Sequence, residues 1–280
     1  MIVLDTELAN RLHTRRLTPF IGSEVLDVDL KQPLPPETVA AIRALVLERG
    51  VAFFRDQSLT PQQQLDFTAK FGPIQFSERV KFDAPLPGVK VFDSRDELYG
   101  RVSRWHADLT SSEAPWSFEV LQAITVPETG GDTMWSSTQA AYDRLPEALQ
   151  RLAESLTAIH ALTPLRVSEW GNAGRAYQWK EHPVVTVHPE TGRRALFVNP
   201  RYTAEIVGYK PHLSEAVLKV LFDHLLQPEF SMRLRWTPGT VVVWDNRTTL
   251  HYAIDDYDDE LRIVHTCSVV GERPVGVTKG

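Results

Sequence analysis

Apolar residues recur at helical spacing after Pro36, where Val39, Ile42, Leu45 and Val46 share one face. Pro36 suits a first helical turn and Gly50 a stop, so the pattern predicts a helix between them. Val51-Ala52-Phe53-Phe54 follows as a short, uniformly apolar run and predicts a buried strand. Thr60-Pro61-Gln62-Gln63 has the form of a capping box and opens a helix through Leu65, Phe67 and Phe71 to Gly72. A third helix is expected over residues 214–227, and shorter ones between 138 and 155. Most of the remainder reads as strand, over residues 118–125, 184–188, 195–198, 232–236, 240–244 and 261–270. His188-Pro189-Glu190-Thr191-Gly192-Arg193 and Trp236-Thr237-Pro238-Gly239-Thr240 both carry hairpin signals.

The helices gather early and between strands, without the regular alternation of a parallel-sheet enzyme. The pattern predicts a mainly β fold, a sandwich or jelly roll decorated by α-helices. No repeat, low-complexity tract or linker interrupts it, so residues 1–280 read as a single domain. Composition narrows the setting. Thirty Lys+Arg against thirty-six Asp+Glu give a net charge of −6, so no global basic field points to nucleic acid or a membrane surface. No apolar run approaches the roughly 18 residues of a spanning helix. The N-terminus lacks the pattern of a signal peptide. The single cysteine, Cys267, excludes an intrachain disulfide and any multi-cysteine metal site. The expectation is a cytoplasmic protein.

The chemistry concentrates in a few places. In Trp105-His106-Ala107-Asp108, an extended backbone would turn His106 and Asp108 to one side. Far downstream, Val241-Val242-Val243-Trp244-Asp245-Asn246-Arg247 leads to His251, as a strand does when it offers a ligand at a barrel mouth. Two histidines and one carboxylate that leave other coordination positions open suit non-haem Fe(II). Zinc with an activated water is the competing use of the same donors, and would make the protein a hydrolase. Thr129-Gly130-Gly131-Asp132-Thr133 is a glycine turn that would aim the Thr133 hydroxyl at the site. Arg262 follows His251 by eleven residues in a Val/Ile-rich strand, where an inward arginine suits a carboxylate partner.

This ordered set resembles the taurine/phenoxyacetate dioxygenase family, and the resemblance covers residues 17–274. It implies a double-stranded β-helix, Fe(II) bound by His106, Asp108 and His251, and 2-oxoglutarate as co-substrate. Its far carboxylate would be held by Arg262 with Thr133. O₂ would complete the reaction, with succinate and CO₂ as co-products and a hydroxylated small or medium organic molecule as the main one. The related iron halogenases lack the metal carboxylate. Asp108 is present here, so hydroxylation is expected. Asn246 and Arg247 would form the turn or orient His251. Homo-oligomers are common in the family, so association of identical copies is expected.

The substrate side departs from the family pattern. Sulfonate-using members carry a second arginine four residues after the first, and that place is Thr266 here. A hydroxyl cannot replace a bidentate guanidinium, so taurine itself is not the expected substrate. The family's other substrate contacts map to Ser77, Val80 and Val102, and Phe76, Val80, Val102 and Trp116 could line a less polar pocket. Arg79, Lys81, Arg101 and Arg104 stand close by for an anionic group. Cleavage of an alkyl sulfate or an aryloxyalkanoate after hydroxylation stays open. His160, His182, His188, His212 and His224 fall in expected helices or turns without a partner motif and read as ordinary.

Overall fold

The computed structural model describes residues 6–76, 86–95, 102–162 and 178–278. Its strands in chain order are β1 (Thr14–Arg16), β2 (Ser23–Val25), β3 (Val51–Phe54), β4 (Lys90–Asp93), β5 (Phe118–Thr125), β6 (Thr133–Ser137), β7 (Thr157–Leu162) and β8 (Gln178–Pro183). There follow β9 (Val185–Val187), β10 (Arg194–Leu196), β11 (Thr203–Ile206), β12 (Ser231–Leu234), β13 (Val241–Asp245), β14 (Thr249–Ala253) and β15 (Ile263–Ser268). The helices are α1 (Thr6–Ala9), α2 (Pro36–Arg49), α3 (Pro61–Thr68), α4 (Thr138–Asp143), α5 (Glu147–Glu154) and α6 (Pro211–Leu225). A seven-stranded sheet, ordered β1-β2-β3-β13-β5-β15-β4, faces a three-stranded sheet ordered β12-β6-β14. A second three-stranded sheet, β11-β7-β8, and the hairpin β9–β10 complete the β structure. The expected jelly roll with helices around it is the fold.

The run Val241-Val242-Val243-Trp244 shows why the large sheet reads as continuously apolar. β13 lies between β3 and β5, and every residue in it is buried. Alternate side chains leave a strand on opposite faces. Val241 and Val243 join Ile42, Val46 and Phe67 in a core under α2 and α3. Val242 and Trp244 join Trp135, Met232 and Trp236 in a second core between the two sheets. The helices form as their sequence signals require. Pro36 opens α2, and Gly50 ends it at φ 72°, where an added Cβ would meet Thr249 Cγ2 at 2.8 Å. Thr60 and Gln63 complete both arms of the capping box on α3.

The structure departs from expectation in three places. The turn through Pro238 and Gly239 does not close a hairpin, because β12 pairs with β6 whereas β13 pairs with β3 and β5. Gly239 is bonded through both backbone groups, its N–H to Ala123 and its carbonyl to Gln57, which carries the chain from one sheet to the other. Arg262 lies just before β15 rather than in it, and a register irregularity follows at Ile263/Val264. His160 and His182, expected in helices or turns, lie in β7 and β8, buried with rings 5.4 Å apart against Phe197, and His188 is buried on Asp245.

That last contact belongs to a buried charge network. Asp245 accepts hydrogen bonds from Arg247 Nη2 at 2.8 Å and from His188 Nε2 at 2.9 Å. Arg247 reaches Glu190 at 3.0 Å, and Arg43 on α2 reaches the other oxygen of Glu190 at 2.9 Å. The end of β13, the β9–β10 turn and α2 are thereby tied together. Burial works against the Asp245 charge, but Arg247 and His188 outweigh it and lower its pKa. A lowered carboxyl pKa stabilises fully above its unfolded value and loses that contribution as pH falls toward the folded one. Asp245→Asn should therefore cost about 3–5 kcal/mol in denaturant unfolding at neutral pH. The deficit relative to wild type should shrink as pH drops below 3.8, the ordinary value for this group.

Candidate active site

His106 and His251 form an isolated antiparallel bridge and exchange both backbone hydrogen bonds, at 3.0 and 2.7 Å. Residues paired in this way place their side chains on one face as neighbours, and the two imidazole centroids are 4.1 Å apart. Asp108 lies two residues beyond His106. Its Oδ1 is 3.5 Å from His106 Nε2, and its Oδ2 is 3.5 Å from His251 Nε2. One ligand atom from each of the three falls within 4.8 Å of the others, a set that could hold a metal ion. His106 Nδ1 donates to the Arg104 carbonyl at 2.7 Å, which fixes the tautomer and turns the Nε2 lone pair toward the cluster. Burial, reinforced by His106, pushes His251 down to about 3, so its imidazole is neutral and available as a ligand. Burial opposes the charge on Asp108, yet the two histidines hold its carboxyl well below the ordinary range.

Asn246 fixes the carboxylate arm. Its Oδ1 accepts from the Asp108 N–H at 2.8 Å, and its Nδ2 donates to the carbonyls of Asp108 and Trp116 at 3.1 and 3.0 Å. Asn246 and Arg247 lie in the turn after β13, as the sequence predicts. Their side chains reach other partners than His251: Asn246 clamps Asp108, and Arg247 belongs to the Asp245 network. Trp244 is the residue against His251, with rings 5.3 Å apart.

The glycine turn and Arg262 meet as expected. Arg262 Nε donates to the Gly131 carbonyl at 3.1 Å, and its two terminal nitrogens have no hydrogen-bond partner among the described residues. Gly130 and Gly131 have φ of 79° and 64°. A Cβ on Gly130 would lie 2.3 Å from the Asp256 carbonyl oxygen, and one on Gly131 would press on Arg262 Cδ and Tyr257 Cδ1 at 3.3 Å. Thr133, two residues on, is buried and accepts from Trp236 Nε1 at 3.0 Å, which leaves its hydroxyl proton free to donate. A half-buried guanidinium with unused donors beside a donor hydroxyl fits the carboxylate end of a dicarboxylate co-substrate.

The proposed substrate residues are less uniform. Ser77 and Val80 lie outside the described residues, as do Arg79, Lys81 and Arg101. Phe76 is 62% exposed, so it does not line an enclosed pocket here, whereas Val102 is half-buried. Thr266 is buried on the inner face of β15 with no hydrogen-bond partner for its hydroxyl. Directly across the ladder from it is Lys90, buried on β4. Lys90 Nζ donates to Ser268 Oγ at 2.6 Å and sits 3.5 Å from the centre of the Trp116 ring. Ser268 in turn donates to Glu119 at 3.4 Å. Neither Lys90 nor Glu119 was singled out in the sequence, because neither has a motif around it. Arg201 and Tyr202, in the turn before β11, were also missed, because no motif surrounds them and what they approach is remote in sequence. The Tyr202 ring is 6.3 Å from that of His106, and Arg201 adds its charge to the forces that lower His251.

A jelly roll with this donor cluster at a partly open mouth defines a class, the non-haem iron oxygenases. Comparison with known proteins gives the family. The family model "Taurine catabolism dioxygenase TauD, TfdA family" matches residues 13–268, and the chain belongs to that family. An alpha-ketoglutarate-dependent sulfate ester dioxygenase of Pseudomonas putida is 36% identical over 92% of this chain and 89% of its own. An alkylsulfatase of Acinetobacter baylyi is 33% identical over 95% of this chain and 87% of its own. The crystal structure of a taurine dioxygenase from Burkholderia xenovorans superposes with a TM-score of 0.84 at 37% identity, covering 95% of this chain and 91% of that one. The protein is an Fe(II)- and 2-oxoglutarate-dependent dioxygenase acting on a small molecule, which sets the zinc hydrolase aside.

The clamp yields a direct test. Asn246→Ala should lower the affinity of the metal-free protein for divalent metal by roughly 10–100-fold, measured by calorimetric titration, with both histidines intact.

Proposed function

We propose that His106, Asp108 and His251 bind Fe(II), that Arg262 and Thr133 hold the far carboxylate of 2-oxoglutarate, and that the protein hydroxylates a C–H bond of an organic substrate. The observation that carries this reading is the convergence of two imidazoles and one carboxylate, with one ligand atom from each within 4.8 Å of the others. The metal and co-substrate, when bound, supply the oxidation of the substrate by O₂. The chain's own residues do the placing. The His106–His251 bridge and the Asn246 clamp fix three donors on one side and leave the other side for co-substrate, O₂ and substrate. Arg262, anchored through Nε on Gly131, keeps its remaining donors for a carboxylate.

The substrate reading follows from Thr266. A buried hydroxyl stands where an arginine fork would grip a sulfonate, so taurine is not the substrate in this proposal. A small or medium molecule with an apolar part, open to an anionic group, is the reading Trp116 and Val102 support. The names of the alkylsulfatase and sulfate ester relatives favour a second reading. Hydroxylation of the carbon that bears a sulfate ester gives an unstable adduct, which collapses to a carbonyl and free sulfate. In the same proposal the chain is one domain and a cytoplasmic homo-oligomer without nucleic-acid or membrane partners. The continuous cores and the net charge of −6 support the domain and partner parts of that reading.

Two outcomes are expected. Anaerobic titration of the metal-free protein with Fe(II) and 2-oxoglutarate should produce a weak visible charge-transfer band, and Arg262→Ala should need roughly 100-fold more 2-oxoglutarate to reach it. Fe(II) binding with no band at any co-substrate concentration would sink the assignment. In a succinate-release assay, taurine should give no more succinate than the substrate-free reaction. Medium-chain alkyl sulfates should stimulate it if the second reading holds, with aldehyde and sulfate released in equal amounts.

A further inference from the structure

The carbonyl that anchors Arg262 belongs to a glycine whose own N–H needs a partner. Gly131 is buried and lies between β5 and β6, so no strand ladder takes up that N–H. A buried N–H left unpaired costs about as much as a lost hydrogen bond. Asp256 supplies the acceptor, with its Oδ1 2.7 Å from Gly131 N. The Asp256 backbone meets the same turn, since a Cβ on Gly130 would lie 2.3 Å from its carbonyl oxygen. Gly131 is thus held on both sides, by Asp256 at its N–H and by Arg262 Nε at its carbonyl, 3.1 Å away. Arg233, on β12, steadies the acid from behind. Its Nη2 is 3.5 Å from Asp256 Oδ2, and its Nε donates to Asp132 Oδ2 at 2.6 Å. One guanidinium therefore spans the acid next to the glycines and the acid facing them. The Asp256 side chain is 44% exposed, and an ion pair so open to water contributes little by itself. The Arg262 backbone is fixed separately: its N–H donates to Ser94 Oγ at 3.0 Å, and its carbonyl accepts from Ser94 N at 2.9 Å. What is left to set is the direction of the guanidinium, and the Gly131 carbonyl sets it.

We infer that Asp256 is a positioning residue for the co-substrate: by holding Gly131 it fixes the carbonyl that aims the Arg262 guanidinium at the far carboxylate of 2-oxoglutarate. The inference rests on the reading of Arg262 as the residue that holds that carboxylate. Asp256 acts through Gly131 and not on the ligand. Both glycines of the turn have positive φ, and glycine has the widest choice of backbone conformations. Without Asp256 the turn is free to rotate, and the guanidinium keeps its charge but loses its direction. An ordinary surface acid in this place would affect stability and leave co-substrate binding alone.

The test is equilibrium binding and not turnover. Ni(II) suits the loading because nitrogen and oxygen donors bind it more tightly than Fe(II). Calorimetric titrations of the Ni(II)-loaded protein with 2-oxoglutarate would compare wild type, Asp256→Ala, Asp256→Asn, Arg262→Ala and the Asp256→Ala/Arg262→Ala pair. Ni(II) affinity and thermal unfolding would be measured for each. Asp256→Ala should bind 2-oxoglutarate roughly 10-fold more weakly while its Ni(II) affinity stays at the wild-type value. Asp256→Asn keeps a side-chain oxygen for the Gly131 N–H and should recover most of that loss. In the Arg262→Ala background, Asp256→Ala should cause no further loss, because the side chain it acts through is gone. Unchanged 2-oxoglutarate affinity in Asp256→Ala overturns the inference, and so does an equal loss in both backgrounds. A matching loss of Ni(II) affinity also overturns it, as does Asp256→Asn behaving like Asp256→Ala. If Arg262→Ala itself binds 2-oxoglutarate as tightly as wild type, the co-substrate assignment fails instead, and the two failures are told apart.

Discussion

The site depends on one pair of backbone hydrogen bonds. His106 and His251 are separated by most of the chain, yet each donates its N–H to the other's carbonyl. In an antiparallel pair this exchange fixes not only proximity but facing, because both side chains must leave the ladder on the same side. Asp108 then needs only its two-residue offset from His106 to arrive between the imidazoles. The facing of the three ligands is thus a property of strand register, and side-chain interactions refine it rather than create it. β14 carries His251 into this bridge while pairing with β6, where Trp135 stands opposite His251 and Thr133 opposite Ala253. The proposed metal donor His251 and the threonine proposed to meet the co-substrate therefore share one frame.

The tetrad Trp244-Asp245-Asn246-Arg247 shows how a short segment can serve several parts of a fold at once. Trp244 packs inward on His251 and Trp135. Asp245 turns outward to His188 and Arg247, Asn246 clamps Asp108, and Arg247 continues to Glu190 and through it toward Arg43. Strand alternation sends Trp244 and Asp245 to opposite faces, and the turn that follows β13 redirects Asn246 and Arg247, so the four reach different layers without competing for space. The outer charge network holds the strand end, and the inner pair holds the metal arm. A loosened network would be felt at Asp108 through the intervening Asn246, one residue away from Asp245.

Much of this was legible in the sequence where local chemistry decides the outcome. The capping box at Thr60, the stop at Gly50, the β9–β10 turn and the His106/Asp108 offset are all short-range patterns, and the structure shows each. The turn at Gly239 was legible as a turn but not as a crossing between sheets. Its direction is set by Gln57 and Ala123, which are remote in sequence. His188 looked ordinary because its partner, Asp245, is 57 residues away. Lys90 and Glu119 escaped notice for a related reason. A lone charge in an apolar strand ordinarily marks an edge or a solvated face, and only the pairing of β4, β15 and β5 shows these two pointing toward each other.

The same pairing bears on the substrate. Lys90 stands opposite Thr266, so the inner face at this rung does contain a cation, displaced by one strand from the place an arginine would occupy. Displacement changes what the cation can do. A guanidinium at Thr266 would present a planar fork to a ligand, whereas the Lys90 ammonium is drawn down onto Ser268 and the Trp116 ring and is almost wholly shielded from solvent. Glu119, nearby, offsets its charge in the buried interior. An anionic substrate entering from the mouth would find that cation already committed, and any grip on a negative group must come from elsewhere around the pocket. Arg201 is one buried cation whose field already reaches His251. The positive charge on β4 is spent on Ser268, the Trp116 ring and Glu119 rather than offered to a ligand, and that division lets the pocket tolerate an apolar substrate.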